Sequence, residues 1–461
     1  MSGPAPIPAD HPTTPRWSDV LAALHRGLTT HSLALVWIPA PRLSAASVFA
    51  HTPGRERVAW SDPNGNDLVG AGAAALVTAS GPLRWREARD RIDALLSDVS
   101  TQALAAAQPW TPRALAGFAF APATADIPPW QGFGDARLVL PELVYRREGS
   151  EAQLGALATR DLPTNAVHAL VGRLARWYAQ LHRGDPTAPP QPSQVVPPPA
   201  SDLSARIDAA LQAITTGPLE KVVVADRYRV ELPERICPAL VFQRLAAESP
   251  TATRFAFEIA GRCFLGASPE RLVSRRSRRV QSEALAGSAH RDDPGAAERL
   301  LRSQKDLVEH AYVARAIEHA LRPLCVSLEM PATPVLRSLR RVVHLNTPIV
   351  GVLKQDVHLL DLVGLLHPTP AVAGNPPEEA VSWILAHERR PRGWYSGPVG
   401  WVEPNGDGDF YVALRSGVLH DNVAELFAGA GIVQGSVRAA EVAEIELKLA
   451  TFRAALGIDL P

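Results

Sequence analysis

Only four of the 47 basic residues in this 461-residue chain are lysines: Lys221, Lys305, Lys354 and Lys448. Arginine fills the other basic positions, so a retained lysine is a candidate for work that a guanidinium cannot do. A lysine ammonium is a compact charge that can release its proton, whereas arginine stays charged and presents a planar fork. Chance retention accounts for any single lysine equally well. Two of the lysine-bearing segments also carry spaced carboxylates. In SQKDLVEHAYVARAIEHAL, Asp306 and Glu309 are three apart and share one helical face. In AAEVAEIELKLATF, Glu441, Glu444 and Lys448 do the same. Two acidic pairs on two helices make an oxygen-rich donor set suited to a hard divalent cation such as Mg2+. The same spacing also suits solvated helix surface, with Glu444 and Lys448 as an ordinary i,i+4 ion pair.

Other segments offer anion-binding or proton-transfer groups. Ala428–Gly435 reads AGAGIVQG, a glycine-rich stretch that can present backbone N–H groups to an anion or simply make a tight connection. It lacks the Lys-Ser/Thr ending of a phosphate loop. Glu270 follows a strand-like run in GASPERL, where a carboxyl can be a surface turn residue or an acid. His344 and His367 lie in apolar surroundings that suit structural histidines.

The elements that must hold these groups are mixed. Helices are predicted at Asp19–Leu28, Leu83–Leu96, Asn165–Leu181, Asp202–Thr215, Pro238–Glu248, Ala296–Leu321 and Ala439–Leu456. Strands are predicted at Leu33–Ile38, Arg57–Trp60, Asp67–Thr78, Leu115–Ala121, Ala136–Tyr145, Ala152–Ala158, Lys221–Val230, Arg254–Ile259, Cys263–Ser268, Leu272–Ser274, Arg279–Ser282, Val335–Leu345, Gly397–Val402, Asp409–Leu419 and Glu425–Gly429. No regular βα alternation appears, which favours α+β over a doubly wound sheet. Residues 1–15 read as a disordered Pro-rich tail, and seven prolines in Pro186–Pro199 as an extended connection.

Composition excludes several classes. Apolar residues make up 46 % of the chain, enough for a large core, and the formal net charge is zero. That balance argues against nucleic acid as a partner and against a polybasic membrane anchor. No apolar run reaches the length of a membrane span, and no signal peptide is visible at the N-terminus. Three cysteines, Cys237, Cys263 and Cys325, form no paired spacing, which suits a reducing cytoplasm.

Read together, ten segments resemble the chorismate-utilising enzymes, in that family's order: KVVVADRYRV, FLGASPERLV, SEALAGSAH, KDLVEHAYVARAI, VVHLNTPIVG, LLHPTPAVAGNP, RGWYSGPVGW, GDGDFYVALRSGVL, LFAGAGIVQGS and AEVAEIELKL. The N-terminal half resembles it weakly, through AGFAFAP and ARLVLPELVY. The resemblance implies two stacked antiparallel sheets with helices packed outside. Residues 16–185 would then supply part of the sandwich, 186–200 a surface loop, and 201–461 the chorismate-binding region. It further implies Lys221 as base and Glu270 as acid. Glu309 and Glu444, with Asp306 and Glu441 nearby, would hold Mg2+. Tyr395, Arg415, Gly429, Gly431 and Lys448 would hold the substrate carboxylates, with Ala286, Gly287, His344 and Ala371 lining the ring site.

Within that family, ammonia-adding members carry Gln where this chain has Lys221, and the aminodeoxychorismate branch carries a Lys nucleophile where it has Ala286. The resemblance therefore implies the water-adding branch, an isochorismate synthase, without an amidotransferase partner and with a monomer as the expected state. Ala371, where salicylate synthases have Thr, leans the same way; a salicylate synthase is the alternative. The chain departs from the family pattern at Ile445, Arg438, Asp226 and Asp306, none of which removes a presumed catalytic group.

Overall fold

A computed structural model describes residues 15–183 and 202–458. The Pro-rich tail through residue 14 and the Pro-rich connection 186–200 lie outside the described residues. Two large, mostly antiparallel sheets carry the fold, and eleven α-helices pack around them among the described residues. One sheet begins at Gly374–Asn375 and passes through Lys221–Glu231, Val423–Val433, Ser416–His420, Arg262–Ser268 and Thr253–Ile259 before N-terminal strands complete it. The other passes through Val342–Leu353, Arg279–His290, Arg271–Arg276, Gly408–Val412 and Pro398–Val402 to Ala114–Phe118. Strands from both sides of residue 200 therefore enter each sheet. One adjacent pair, Leu33–Pro39 with Val99–Ala103, is parallel. No helix among the described residues is long and apolar enough to cross a membrane.

Three expected single strands are each two. Asp67–Thr78 divides into Asp67–Ala71 and Ala75–Ala79, Ala136–Tyr145 into Ala136–Leu140 and Leu143–Glu148, and Asp409–Leu419 into Gly408–Val412 and Ser416–His420. Each break is where the chain leaves one sheet and joins the other. Continuous apolar runs hide these crossings; both sides are buried at the second and third breaks, whereas Ala75–Ala79 alternates buried and exposed residues. The crossing in the third case is made by Arg415, whose φ of 49° turns the chain through the left-handed region. Glu270 lies in a fourth crossing, between Arg262–Ser268 and Arg271–Arg276. Two candidate functional side chains thus stand where backbone runs between the sheets.

Two other expectations also divide. The predicted helix Ala296–Leu321 is Ala296–Arg302 followed by Gln304–Leu321, because Ser303 caps the second piece and accepts from the Asp306 N–H at 3.3 Å. Val335–Leu345 is a hairpin of Val335–Ser338 against Val342–Leu353, closed by Leu339 N–H donating to the Val342 carbonyl. The helices Ala45–His51 and Leu359–Leu366 carry too few turns to show a helical period, and neither they nor Pro377–His387 are anticipated.

An aromatic cluster fixes the site from below. Trp394 is fully buried, meets Phe133 and Phe257 edge-on at 5.2 Å, and donates from Nε1 to the Gly134 carbonyl at 2.8 Å. Its neighbour Tyr395 is thereby pinned, and stacks on Phe427 at 5.2 Å with the rings 17° apart.

Candidate active site

The pocket lies where the Lys221–Glu231 and Val423–Val433 strands of one sheet meet the Arg279–His290 and Val342–Leu353 strands of the other. Helices Gln304–Leu321 and Arg438–Leu456 close it. Of the residues predicted from sequence, Glu270, Ala286, Gly287, Glu309, His344, Ala371, Tyr395, Arg415, Gly429, Gly431, Glu444 and Lys448 line it. Lys221, Asp306 and Glu441 do not reach its surface.

Lys221 opens its strand and is completely buried, with Nζ 3.1 Å from Glu309 Oε1 and without a well-aligned hydrogen bond. It reaches the pocket only through Glu309. The same motif repeats twice: Lys448 Nζ lies 2.7 Å from Glu444, and Lys305 Nζ 2.6 Å from Glu441. Three of the four lysines each hold one of the four candidate metal carboxylates. Lys305 had no assigned role in the sequence; its rarity was the available signal. The fourth, Lys354, is exposed and donates to the Pro323 carbonyl at 2.7 Å.

The carboxylates feel one another. Burial and the nearby Glu309 and Glu444 charges raise the Asp306 pKa. Burial and Glu444 raise that of Glu441 against the opposing Lys305. Burial alone would raise Glu444, but the Lys448 ammonium brings it below the ordinary value. Among the described residues no three such groups are already gathered as a metal cluster. The donor chemistry nevertheless fits a hard cation: the set is all oxygen, and part of it is held against like charge. The backbone is shaped for it too. A methyl group at Gly431 would lie 2.1 Å from Glu309 Oε1 and 3.0 Å from Lys221 Cε, so only glycine leaves the space in which the two side chains meet. Gly431→Ala should fold, because the colliding atoms are the ends of flexible side chains, at a cost of about 1–3 kcal/mol. It should displace Glu309 from the Lys221 ammonium and weaken, by tenfold or more, the binding of any divalent cation that these carboxylates hold, read by calorimetry with Mg2+ alone. Cation binding of unchanged strength would contradict a part for Glu309 in holding it.

Glu270 is buried, and its pKa is pushed up to about 8. Loss of hydration is the largest cause and the Glu283 charge the next; Lys221, Lys448 and Arg337 oppose them. The carboxyl is therefore protonated at neutral pH. Glu283 itself is held by Arg337 at 2.6 Å and by the Arg271 N–H at 2.8 Å.

Gly287 makes a bulge: the register against Val342–Leu353 shifts between Ala286 and Ser288, at a φ of 76°. The bulge turns the Gly287 carbonyl toward His344 Nδ1, 3.2 Å away, with Ser288 Oγ at 3.0 Å. Since a carbonyl only accepts, Nδ1 carries the proton, and buried Nε2 is left as an unpartnered acceptor in a residue that lines the pocket. Burial, with Arg415 and Lys448 nearby, lowers the His344 pKa to about 3, so the ring stays neutral. His367 is the structural histidine of the two, bonded to the Phe120 carbonyl at 3.0 Å.

Arg415, Tyr395 and Lys448 line the same pocket. Burial lowers the Arg415 pKa to about 10, which leaves it charged at neutral pH. Lys448 also donates to the Gly429 carbonyl at 2.8 Å. Sequence reasoning missed Arg392, which also lines the pocket and donates to the Val223 and Val372 carbonyls at 2.8 and 2.6 Å. It opens the RGWYSGPVGW segment, yet arginine is too common here to stand out. The pocket thus offers a protonated acid, a buried ammonium–carboxylate pair, a neutral imidazole acceptor and the cations Arg392, Arg415 and Lys448. That set suits an anionic substrate that gains and loses protons.

Residues 20–457 match the family described as chorismate binding enzyme. The salicylate biosynthesis isochorismate synthase of Pseudomonas aeruginosa is 38 % identical over 359 residues, which is 76 % of this chain and 75 % of that one. Isochorismate synthase MenF of Bacillus subtilis is 40 % identical over 256 residues, 54 % of each chain. The solved structure of MenF, the menaquinone-specific isochorismate synthase from Escherichia coli, superposes with a TM-score of 0.76 at 25 % identity, covering 95 % of this chain and 99 % of that one.

Proposed function

This chain belongs to the chorismate binding enzymes, and from that premise we propose that it is an isochorismate synthase that converts chorismate reversibly to isochorismate. The observation that carries the reading is Glu270, a buried carboxyl kept protonated in the same pocket as a buried lysine. Water adds at C2 while the C4 hydroxyl departs and the ring double bonds shift, so one proton must be removed and another supplied. Lys221, once its ammonium proton has passed to solvent, takes as the neutral amine the proton of the attacking water. Glu270 gives its proton to the departing oxygen. His344 Nε2 is an acceptor for a ring hydroxyl. Arg415 suits a bidentate contact with a substrate carboxylate, with Tyr395 and Lys448 beside it.

Mg2+ would be held by Glu309 and Glu444, with Asp306 and Glu441 nearby. When bound it neutralises and clamps the ring carboxylate. Ala286 and Ala371 in the pocket support water rather than ammonia as nucleophile, and an isomerase that stops at isochorismate.

The test is the product. Purified protein with chorismate and Mg2+ should reach a plateau containing both isomers, because the reaction exchanges one allylic alcohol for another and changes few bonds. Withholding Mg2+ should stop it reversibly. Accumulation of salicylate and pyruvate until chorismate is consumed would instead assign a salicylate synthase. An aminated product from ammonium salts would overturn the water-adding assignment.

A further inference from the structure

A second cleft, of about 500 Å³, lies back to back with the catalytic pocket. Arg392, Tyr395 and Phe427 line both and form the partition. One strand serves the two: alternate residues of Lys221–Glu231 point the same way, so Val223 lines the catalytic pocket while Ala225, Arg227 and Arg229 line the cleft. Six arginines surround it, Arg206, Arg227, Arg229, Arg389, Arg390 and Arg392, against three carboxylates, Asp202, Asp226 and Glu388.

Those carboxylates are engaged. Arg206 pairs with Asp226 at 2.6 Å, Arg389 with Asp202 at 3.1 Å and Arg392 with Glu388 at 2.6 Å. Arg227 and Arg229 share Glu425, just behind the cleft, at 3.3 and 3.4 Å. Arg390 is exposed and has no carboxylate partner among the described residues; it acts on Arg227 as a like charge. Nε of Arg227 is buried, and Glu425 Oε2 at 3.3 Å is not aligned for a hydrogen bond with it, while Nη1 donates to the Pro128 carbonyl at 3.3 Å. Positive charge is thus in excess, and forked donors face a cleft whose remaining walls, Phe427, Tyr395 and Pro391, are apolar.

We propose that this cleft is a second anion site, for a small organic dicarboxylate with a flat apolar body, and that its occupancy is felt at the catalytic pocket. Arginine forks match carboxylates bidentately, and the ring faces of Phe427 and Tyr395 accept the body. Coupling runs through Glu388, which holds Arg392 and accepts from the Ala225 N–H at 3.2 Å. A ligand drawing on Arg389 and Arg390 pulls the segment that fixes Arg392 and Tyr395. The cleft is a separate site and not a route inward, since the Tyr395–Phe427 stack and buried Arg392 close the partition.

Phthalate is the probe. Calorimetry on the full chain should show phthalate binding that persists with saturating chorismate, and phthalate should change KM for chorismate at least twofold where KCl of equal ionic strength does not. The R229E/R390E variant should keep its kcat without phthalate, lose phthalate affinity by about tenfold or more, and lose the KM effect. If that variant does not fold, Arg390→Ala carries the same expectation with a smaller loss. Absence of binding, binding abolished by chorismate, or affinity unchanged in the variants would each overturn the proposal.

Discussion

Lys221→Gln is expected to lower kcat by at least about 100-fold, the ordinary scale of a lost general base. The ammonium is completely buried, and its one charged neighbour within contact among the described residues is Glu309 at 3.1 Å. Two roles are therefore compatible with its position, proton acceptor and counter-charge, and substitution separates them. Lys221→Arg keeps the charge but cannot take a proton, so it should be about as slow as the Gln variant. Thermal unfolding reads the other role. K221Q strands the Glu309 carboxylate and should lower Tm, while K221Q/E309Q should recover Tm without recovering turnover, because removing one partner of a buried pair costs more than removing both. A Lys221→Arg enzyme of near-normal rate would reduce Lys221 to a counter-charge.

The parts of this site legible in the sequence are those whose residue type is itself unusual. Lysine is scarce, so Lys221, Lys305 and Lys448 stood out, and all three hold carboxylates of the site. The i,i+3 and i,i+4 spacings placed Asp306, Glu309, Glu441, Glu444 and Lys448 on helices that the structure also forms. What the sequence could not show was approach between distant elements. Local periodicity says nothing about Glu283 standing near Glu270, since that contact depends on two strands of one sheet. It also could not mark where a buried strand leaves one sheet for the other: at Arg415 the change is one backbone dihedral in an otherwise apolar run. The family resemblance supplied those roles for Glu270 and Arg415; the structure supplies the physical setting, burial for the acid and a sheet crossing for the arginine. Arg392 escaped because arginine fills nearly every basic position here.

Glu270→Gln should lower kcat by about 10²–10⁴-fold and, unusually for an active-site change, raise stability. The acid works while protonated, so in the wild type kcat/KM should hold through neutral pH and fall tenfold per unit above about 8, where the buried carboxyl ionises. The stability effect has a definite sign. The folded pKa lies above the unfolded value of 4.5. Between those two values the unfolded chain sheds a proton that the folded chain keeps, so this group's contribution becomes more unfavourable as pH rises through that window. The Glu270→Gln substitution removes the penalty and should add up to about 3 kcal/mol at pH 7. Glu283 provides the independent check. Removing its charge in Glu283→Gln eliminates the second-largest cause of the raised pKa, so the alkaline limb should move to lower pH while the rate on the plateau is kept. The Glu270→Gln enzyme should have no such limb in its residual activity. If the limb stays at the same pH in Glu283→Gln and persists in Glu270→Gln, another group supplies the proton, and Glu270 is only a buried carboxyl that destabilises the fold without serving the reaction.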